Sequence, residues 1–345
     1  MRKIEILDCT LRDGGYINNW NFGFDNIKYI INNLALANIR YIECGFINNI
    51  NTFNKNQSIF TDPNSIKPLI ETHTNSKFTS MMLVNKYDIK KLPKCSNAFT
   101  DIIRLAFHKK DRNKIIDYAT IIKKKGYKLF LQPTIIMSYS NEEIIELLNL
   151  CKTTLQPDGI AIVDTLGEMN MFDIKRITKL FDNYLDIETK ILFHGHNNLQ
   201  LAFSNAITFI ENVKQERNVI IDTTLMGMGR DAGNVCTELL IDYLNQYYNA
   251  DYDYYKILSI IDNGISIYKE KFDWGYNTAF MLNAKNKVHP NYAKFFKNKI
   301  KKISLIDLNY LIDKIPYQEK NEFNEDVAKC ILEEFNTKKS CISVL

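Results

Sequence analysis

The sequence predicts an α/β protein, a (β/α)8 TIM barrel followed by a small helical C-terminal region. Three observations carry this expectation. Eight short apolar, β-branched runs recur along the chain, each followed by a helix-compatible stretch, and eight parallel strands close a barrel. The length of 345 residues suits one barrel of ~250 residues with an appendage. No GxGxxG follows the first run, although a doubly wound open sheet would want such a loop there.

The expected strands are Ile4–Cys9, Tyr41–Phe46, Phe78–Val84, Ile102–Phe107, Lys128–Pro133, Gly159–Asp164, Lys190–His194 and Val219–Thr224. Helical patterns lie between them at Asn26–Ala37, Asn113–Lys125, Asn141–Leu150, Asp173–Tyr184 and Leu199–Gln215. Asn141 with two following glutamates reads as an N-cap and acidic first turn, and Gly126 as a helix stop. After Thr224 come a glycine-rich loop, a helix over Val235–Tyr248 and a Tyr-rich helical stretch to about Lys271. Beyond Trp274 the strand signal stops, and Pro290 and Pro316 break the rest into short helices. The expected division is therefore a barrel over residues 1–275 and a helical region over residues 276–345.

Composition excludes several classes. With 46% hydrophobic residues there is ample core material. The net charge of +4 is mild, and lysines are dispersed among acids, which argues against nucleic-acid binding. The densest basic run, Lys297–Lys302, reads as a solvated helix face. Seven scattered cysteines without a CxxC exclude a disulfide framework or zinc knuckle and suit a reducing cytoplasm. No apolar stretch of membrane-spanning length occurs, and the N-terminus lacks the apolar core of a signal peptide.

In such a barrel the chemistry lies at the C-terminal ends of the strands. Strand one ends in Asp8-Cys-Thr-Leu-Arg-Asp-Gly-Gly15, with acids, an arginine and two glycines close together; a charged capping turn is the plainer reading. Strand seven ends in His194-Gly195-His196. Residues i and i+2 of a strand share a side, so both imidazoles face one point, half of a metal site, with Gly195 leaving the other side empty. Hydrogen-bonded core histidines are the alternative. After strand eight, Gly227-Met-Gly229-Arg230-Asp-Ala-Gly-Asn234 can bring backbone amides to an anion, or be a flexible loop. Glu43 ends strand two, and Asp164-Thr165 ends strand six; each is a rim hydrogen-bonder at least. Arg104, inward on an apolar strand, needs an anionic partner.

The run Asp8-Cys-Thr-Leu-Arg-Asp-Gly14 resembles the D-x-T-L-R-D-G signature of the metal-dependent DRE-TIM superfamily, which includes 3-hydroxy-3-methylglutaryl-CoA lyase, isopropylmalate and homocitrate synthases and 4-hydroxy-2-oxovalerate aldolase. His194-Gly-His196 resembles its H-x-H, and Gly227–Asn234 its glycine-rich segment. The resemblance implies that Asp13, His194 and His196 ligate a divalent metal, with Asn234 a further ligand. Mn²⁺ leads, with Mg²⁺, Zn²⁺ or Co²⁺ as alternatives. It implies that Arg12 holds the keto or enolate oxygen, with Thr165, Gly229 and Arg230 beside the substrate.

The Leu-Arg-Asp-Gly-Gly form is most similar to the aldolase branch. That implies cleavage or formation of a C–C bond in a 4-hydroxy-2-oxo acid, a homo-oligomer, and an aldehyde dehydrogenase partner. Tyr16 departs from the pattern, because the bacterial aldolases place a basic histidine there. A phenol of pKa near 10 is a poor base at neutral pH, so His108, after strand four, enters as a candidate. Tyr276 resembles a C-terminal tyrosine of those aldolases, and Glu43 and Arg104 complete the catalytic candidates. An acyl-CoA-dependent Claisen-type synthase and a non-catalytic barrel are the alternatives.

Overall fold

The structure, a computed structural model, describes residues 3–50, 52–71, 75–95 and 100–342. Eight parallel strands form the barrel: β1 (Ile4–Asp8), β2 (Tyr41–Ile47), β3 (Lys77–Leu83), β4 (Thr100–Phe107), β5 (Lys128–Pro133), β6 (Gly159–Asp164), β7 (Lys190–Gly195) and β8 (Val219–Thr223). Closure is explicit. β1 pairs with β2 (Leu7 opposite Tyr41) and with β8 (Asp8 opposite Thr223). All eight expected strands are present, with no end moved by more than two residues, because apolar β-branched runs buried on both sides mark a strand strongly. The Ile59–Phe60 strand beside the end of β2 carried no such run and was not expected.

The outer layer departs from eight equal helices. Among the described residues the only helical segment between β2 and β3 is the 3-10 turn Pro63–Leu69, and between β3 and β4 the turn Ile89–Lys91. Pro63 and Pro68 explain the first, since an interior proline lacks the amide an α-helix needs. Elsewhere helices appear as expected: Phe24–Leu36, Ile115–Lys124, Asn141–Leu150, Met171–Tyr184, Ala202–Asn212 and Thr237–Tyr248. The cap of Asn141–Leu150 falls one residue before Asn141. Ser140 accepts from the Glu143 amide while Glu143 accepts from the Ser140 amide.

The two largest apolar clusters separate along the chain, while smaller ones lie among the strands. One packs the barrel against its helices. The other unites Leu282, Tyr292, Phe296, Leu308, Leu311, Ile312 and Ala328 from the helices Thr278–Lys285, Asn291–Lys299, Leu305–Asp313 and Glu325–Ile342, with Val288 between the first two. Ion pairs join this region to the barrel: Lys294 to Asp231 at 3.0 Å, Lys110 to Glu322 at 2.6 Å, and Lys287 to Glu168 at 3.9 Å. The Lys297–Lys302 run ends the Asn291–Lys299 helix with its lysines exposed. No described helix is long and apolar enough to cross a membrane.

Candidate active site and metal centre

The DxTLRDG run leaves β1 as a helical turn, Thr10–Asp13. That turn aims Arg12 and Asp13 over the barrel mouth, where both are buried. β7 brings His194 and His196 to the same place. Their rings stand 5.2 Å apart at 83°. Gly195 is needed for a reason other than an empty flank: a Cβ there would lie 2.7 Å from the Phe193 ring, which fills the outer side and stacks on Phe209 at 5.7 Å.

Ligand atoms of Asp13, His194 and His196 all lie within 4.8 Å of one another. His194 Nε2 stands 3.2 Å and His196 Nε2 3.8 Å from Asp13 Oδ2. Donors bound at ~2.0–2.2 Å to one cation are separated by about 3–3.6 Å, so the spacing fits. Neither Asp13 oxygen completes a directed hydrogen bond, although Arg12 Nη1 lies 3.0 Å from Oδ2. Both amide atoms of Asn234 are also buried without partners. Gly229 lets these two groups approach: its Cβ would fall 2.1 Å from Asn234 Nδ2 and 3.5 Å from Asp13 Oδ1. Unsatisfied oxygens beside two imidazoles are what a divalent cation would complete.

Beneath the mouth runs a buried chain of charge. Arg12 Nε donates to Glu43 Oε2 at 2.8 Å, and Arg104 Nη1 donates to the same oxygen at 2.9 Å. Arg104 Nη2 donates to Asp222 Oδ2, which also lies 3.0 Å from His194 Nδ1. Arg104 thus has the anionic partners its burial demands, Glu43 and Asp222. Asp222 fixes His194 with Nδ1 protonated and Nε2 free for a ligand, the usual support of a metal-binding histidine. Two guanidiniums face the three carboxylates of Asp13, Glu43 and Asp222, so with neutral imidazoles this set carries one surplus negative charge.

The electrostatics agree. Burial opposes ionisation of Asp13, but Arg12 and the two histidines hold its carboxyl well below the usual range. Burial likewise opposes ionisation of Asp222, and Arg104 overrides it. Burial alone would depress His194, yet the carboxylates of Asp13 and Asp222 beside its two nitrogens raise it, whereas His196 is pushed down to about 4 by burial. A second grouping, Cys9–His194–Asp222, lies on the far side of the same imidazole. Its groups are otherwise engaged: Cys9 Sγ donates to the Thr223 carbonyl at 3.3 Å, burial pushes the thiol well up, and Asp222 Oδ2 accepts from Arg104.

A cavity of about 220 Å³ opens over these groups. Arg12, Asp13, His194 and His196 form its floor; Phe46, Met81, Leu83, Ala106 and Val163 form an apolar side; Tyr16, His108, Gln132, Thr134, Arg230 and His289 line the rest. Arg12 Nη2 is buried with no partner. Tyr16 is 44% exposed at the rim and edge-on to Trp20. Burial raises its phenol, and Arg230 and Arg12 offset this only in part.

Other expected residues stand elsewhere. Glu43 and Arg104 lie below the floor. The Thr165 hydroxyl accepts from the Ile135 amide, and its carbonyl accepts from Arg230 Nη2 at 3.1 Å, so it ties loops together. Gly229 backs Asn234. Tyr276 is 59% exposed and outside the cavity lining. The amides of Gly227, Met228, Ala232, Gly233 and Asn234 bond within the protein, so those five do not form an anion cradle. Sequence reasoning missed Asp222, Gln132 and His289. Asp222 left one signal, an acid inside the apolar run of β8.

Residues 3–263 match the family model described as HMGL-like. A 4-hydroxy-2-oxovalerate aldolase of Bacillus cereus is 24% identical over 268 residues, 77% of this chain and 76% of the relative. One of Moorella thermoacetica is 25% identical over 266 residues, 76% of each. The crystal structure of the N-terminal domain of a Bacteroides vulgatus protein assigned as an aldolase superposes with TM-score 0.74 at 27% identity, covering 86% of this chain and 97% of that one. The motif at Asp8, the closed parallel barrel and this match agree: the chain belongs to the HMGL-like family of the DRE-TIM superfamily.

Proposed function

We propose that this protein is a divalent-metal-dependent aldolase that cleaves or forms the C3–C4 bond of a 4-hydroxy-2-oxo acid, with pyruvate as the other partner. The observation that carries the reading is the convergence of Asp13, His194 and His196 with the unpartnered Arg12 Nη2 on one cavity floor. Relatives named 4-hydroxy-2-oxovalerate aldolase support it.

Asp13, His194 and His196 would hold the metal, with Asn234 beside them. Bound there, the metal would stabilise negative charge on the substrate's keto oxygen. Arg12 places a second positive group at that oxygen, and because Glu43 and Asp13 grip two of its nitrogens it is oriented before substrate arrives. The apolar side at Phe46, Met81, Leu83, Ala106 and Val163 lowers the local screening and strengthens these charges. Tyr16 shapes the rim.

The test is pyruvate release from a panel of 4-hydroxy-2-oxo acids by protein stripped of metal and reloaded with Mn²⁺, with Mg²⁺, Zn²⁺ and Co²⁺ as comparisons. Release should require the cation. Metal-dependent exchange of pyruvate methyl protons with deuterated water should accompany it. Absence of both, with the metal shown to be bound, would refute the reading.

A further inference from the structure

The reading above leaves one part of the reaction without a group: the proton of the 4-hydroxyl that must leave as the bond breaks. Tyr16, at the position where a base is expected, has a phenol raised by burial. Two histidines outside the metal set line the same cavity, and their hydrogen bonds give them opposite tautomers.

The Thr134 hydroxyl donates to the Phe107 carbonyl at 3.0 Å. With that proton on the carbonyl, the contact with His108 Nδ1 at 2.9 Å is donated by the imidazole. His108 therefore carries its proton on Nδ1 and a lone pair on Nε2. His289 is reversed. Its Nδ1 accepts the Asn291 amide at 3.3 Å, which puts its proton on Nε2. Burial, helped by Arg230 and Lys294, pushes His289 down to about 3, so it remains neutral, and burial also lowers His108. The two differ in origin. His108 follows β4 on the barrel, whereas His289 lies between the first two C-terminal helices, beyond the 3–263 span of the family match.

Their place fits the acceptor side. His108 and Thr134 also line a wider cleft of about 710 Å³, which runs between the barrel rim and Tyr317–Glu322. They stand where the metal cavity meets it, and none of the three metal-ligand candidates lines that cleft.

We infer that His108 and His289 divide the work on the acceptor half of the substrate, His108 Nε2 as the base for the 4-hydroxyl and His289 Nε2–H as a hydrogen-bond donor to the same oxygen. In cleavage, the hydroxyl proton passes to His108. The O–H electron pair becomes the second bond of the aldehyde carbonyl. The C3–C4 pair moves onto the pyruvate unit as its enolate, which takes a proton from water at C3 while His108 returns its own to solvent. No oxidant, reductant or co-reactant is needed. The formed aldehyde stays hydrogen-bonded to His289 until it leaves.

The assignment rests on the aldolase reading, and two measurements keep the two apart: pyruvate proton exchange, which uses only the metal and Arg12 side, and cleavage, which uses both. In the full-length, Mn²⁺-loaded protein, His108→Gln should lose cleavage by ~10²-fold or more while exchange continues. His289→Leu should lower cleavage by ~10-fold, and His289→Gln, which restores an N–H donor, should recover most of it. Equal loss of exchange and cleavage in His108→Gln overturns the assignment. So does equal damage from Leu and Gln at His289, since a packing role would not distinguish them. Melting temperature and bound Mn²⁺ are read for every variant. If His108→Gln is unfolded, His108→Asn supplies the same comparison. Wild-type protein that neither exchanges pyruvate protons nor cleaves any 4-hydroxy-2-oxo acid overturns the aldolase reading itself.

Discussion

Arg12 is held by two acids and still keeps one nitrogen, Nη2, for something else. Lysine preserves the charge but loses the planar fork that makes this possible. Arg12→Lys should lower kcat by ~10²-fold or more with bound Mn²⁺ unchanged, which metal analysis beside steady-state kinetics would check; full activity would remove Arg12 from the reaction. Asp222 acts through His194. Asp222→Asn should weaken Mn²⁺ binding by ~10–100-fold, measured by titration calorimetry, while unchanged affinity would leave Asp222 a purely structural partner of Arg104. Tyr16→Phe should reduce cleavage only ~10-fold and alter aldehyde preference; abolished cleavage with metal and pyruvate still bound would make Tyr16 the base. At this scale the sequence was legible where function needs residues close in the chain, as in Arg12-Asp13 and His194-Gly-His196. It was silent where the partner is distant. The acid inside the apolar run of β8 does not say that Asp222 comes under His194, nothing near His289 announces that it enters the cavity, and Tyr276 offered a closer-looking candidate than His289.

The strands carry these residues, and their close packing is testable. Gly195→Ala pushes a methyl into the Phe193 ring, and with Phe209 stacked behind it the ring has little room to move. The substitution should destabilise the protein by ~1–3 kcal/mol, read as a lower midpoint in urea, and should weaken Mn²⁺ binding by tilting the two imidazoles. A stable, fully metal-binding variant would show that the ring yields. Strands were the most legible elements, since their apolar runs differ sharply from the polar helix faces. The missing helices after β2 and β3 were less so, because Pro63 and Pro68 argue only against a helix and do not say what replaces it.

For the molecule as a whole, the cavity is completed by a region with its own apolar core, tied to the barrel by ion pairs. One of them is pH-sensitive. Burial raises Glu168 to about 7, partly offset by Lys287. A carboxyl raised on folding favours the folded state most when protonated, so this contribution is present at low pH and lost as pH rises through about 7. Between pH 6 and 8 the melting temperature should fall more for wild type than for Glu168→Gln; parallel curves would discount the group. That the C-terminal stretch is helical could be read from its composition. That it supplies His289 to the site could not, because Lys294, Lys287 and His289 look like ordinary surface residues until Asp231, Glu168 and the cavity face them.

The buried charges of the mouth also set an order of events. With both imidazoles neutral, Arg12 and Arg104 do not balance Asp13, Glu43 and Asp222, and the 2-oxo acid of the proposed reaction would arrive as an anion. Entering first, it would add a second unbalanced negative charge in a region of weak screening. Entering after a divalent cation, it meets net attraction. On the aldolase reading binding would then be sequential, cation before anion: pyruvate should bind the metal-free protein far more weakly than the Mn²⁺-loaded form, and a carboxylate ligand should slow the escape of a metal it cannot precede.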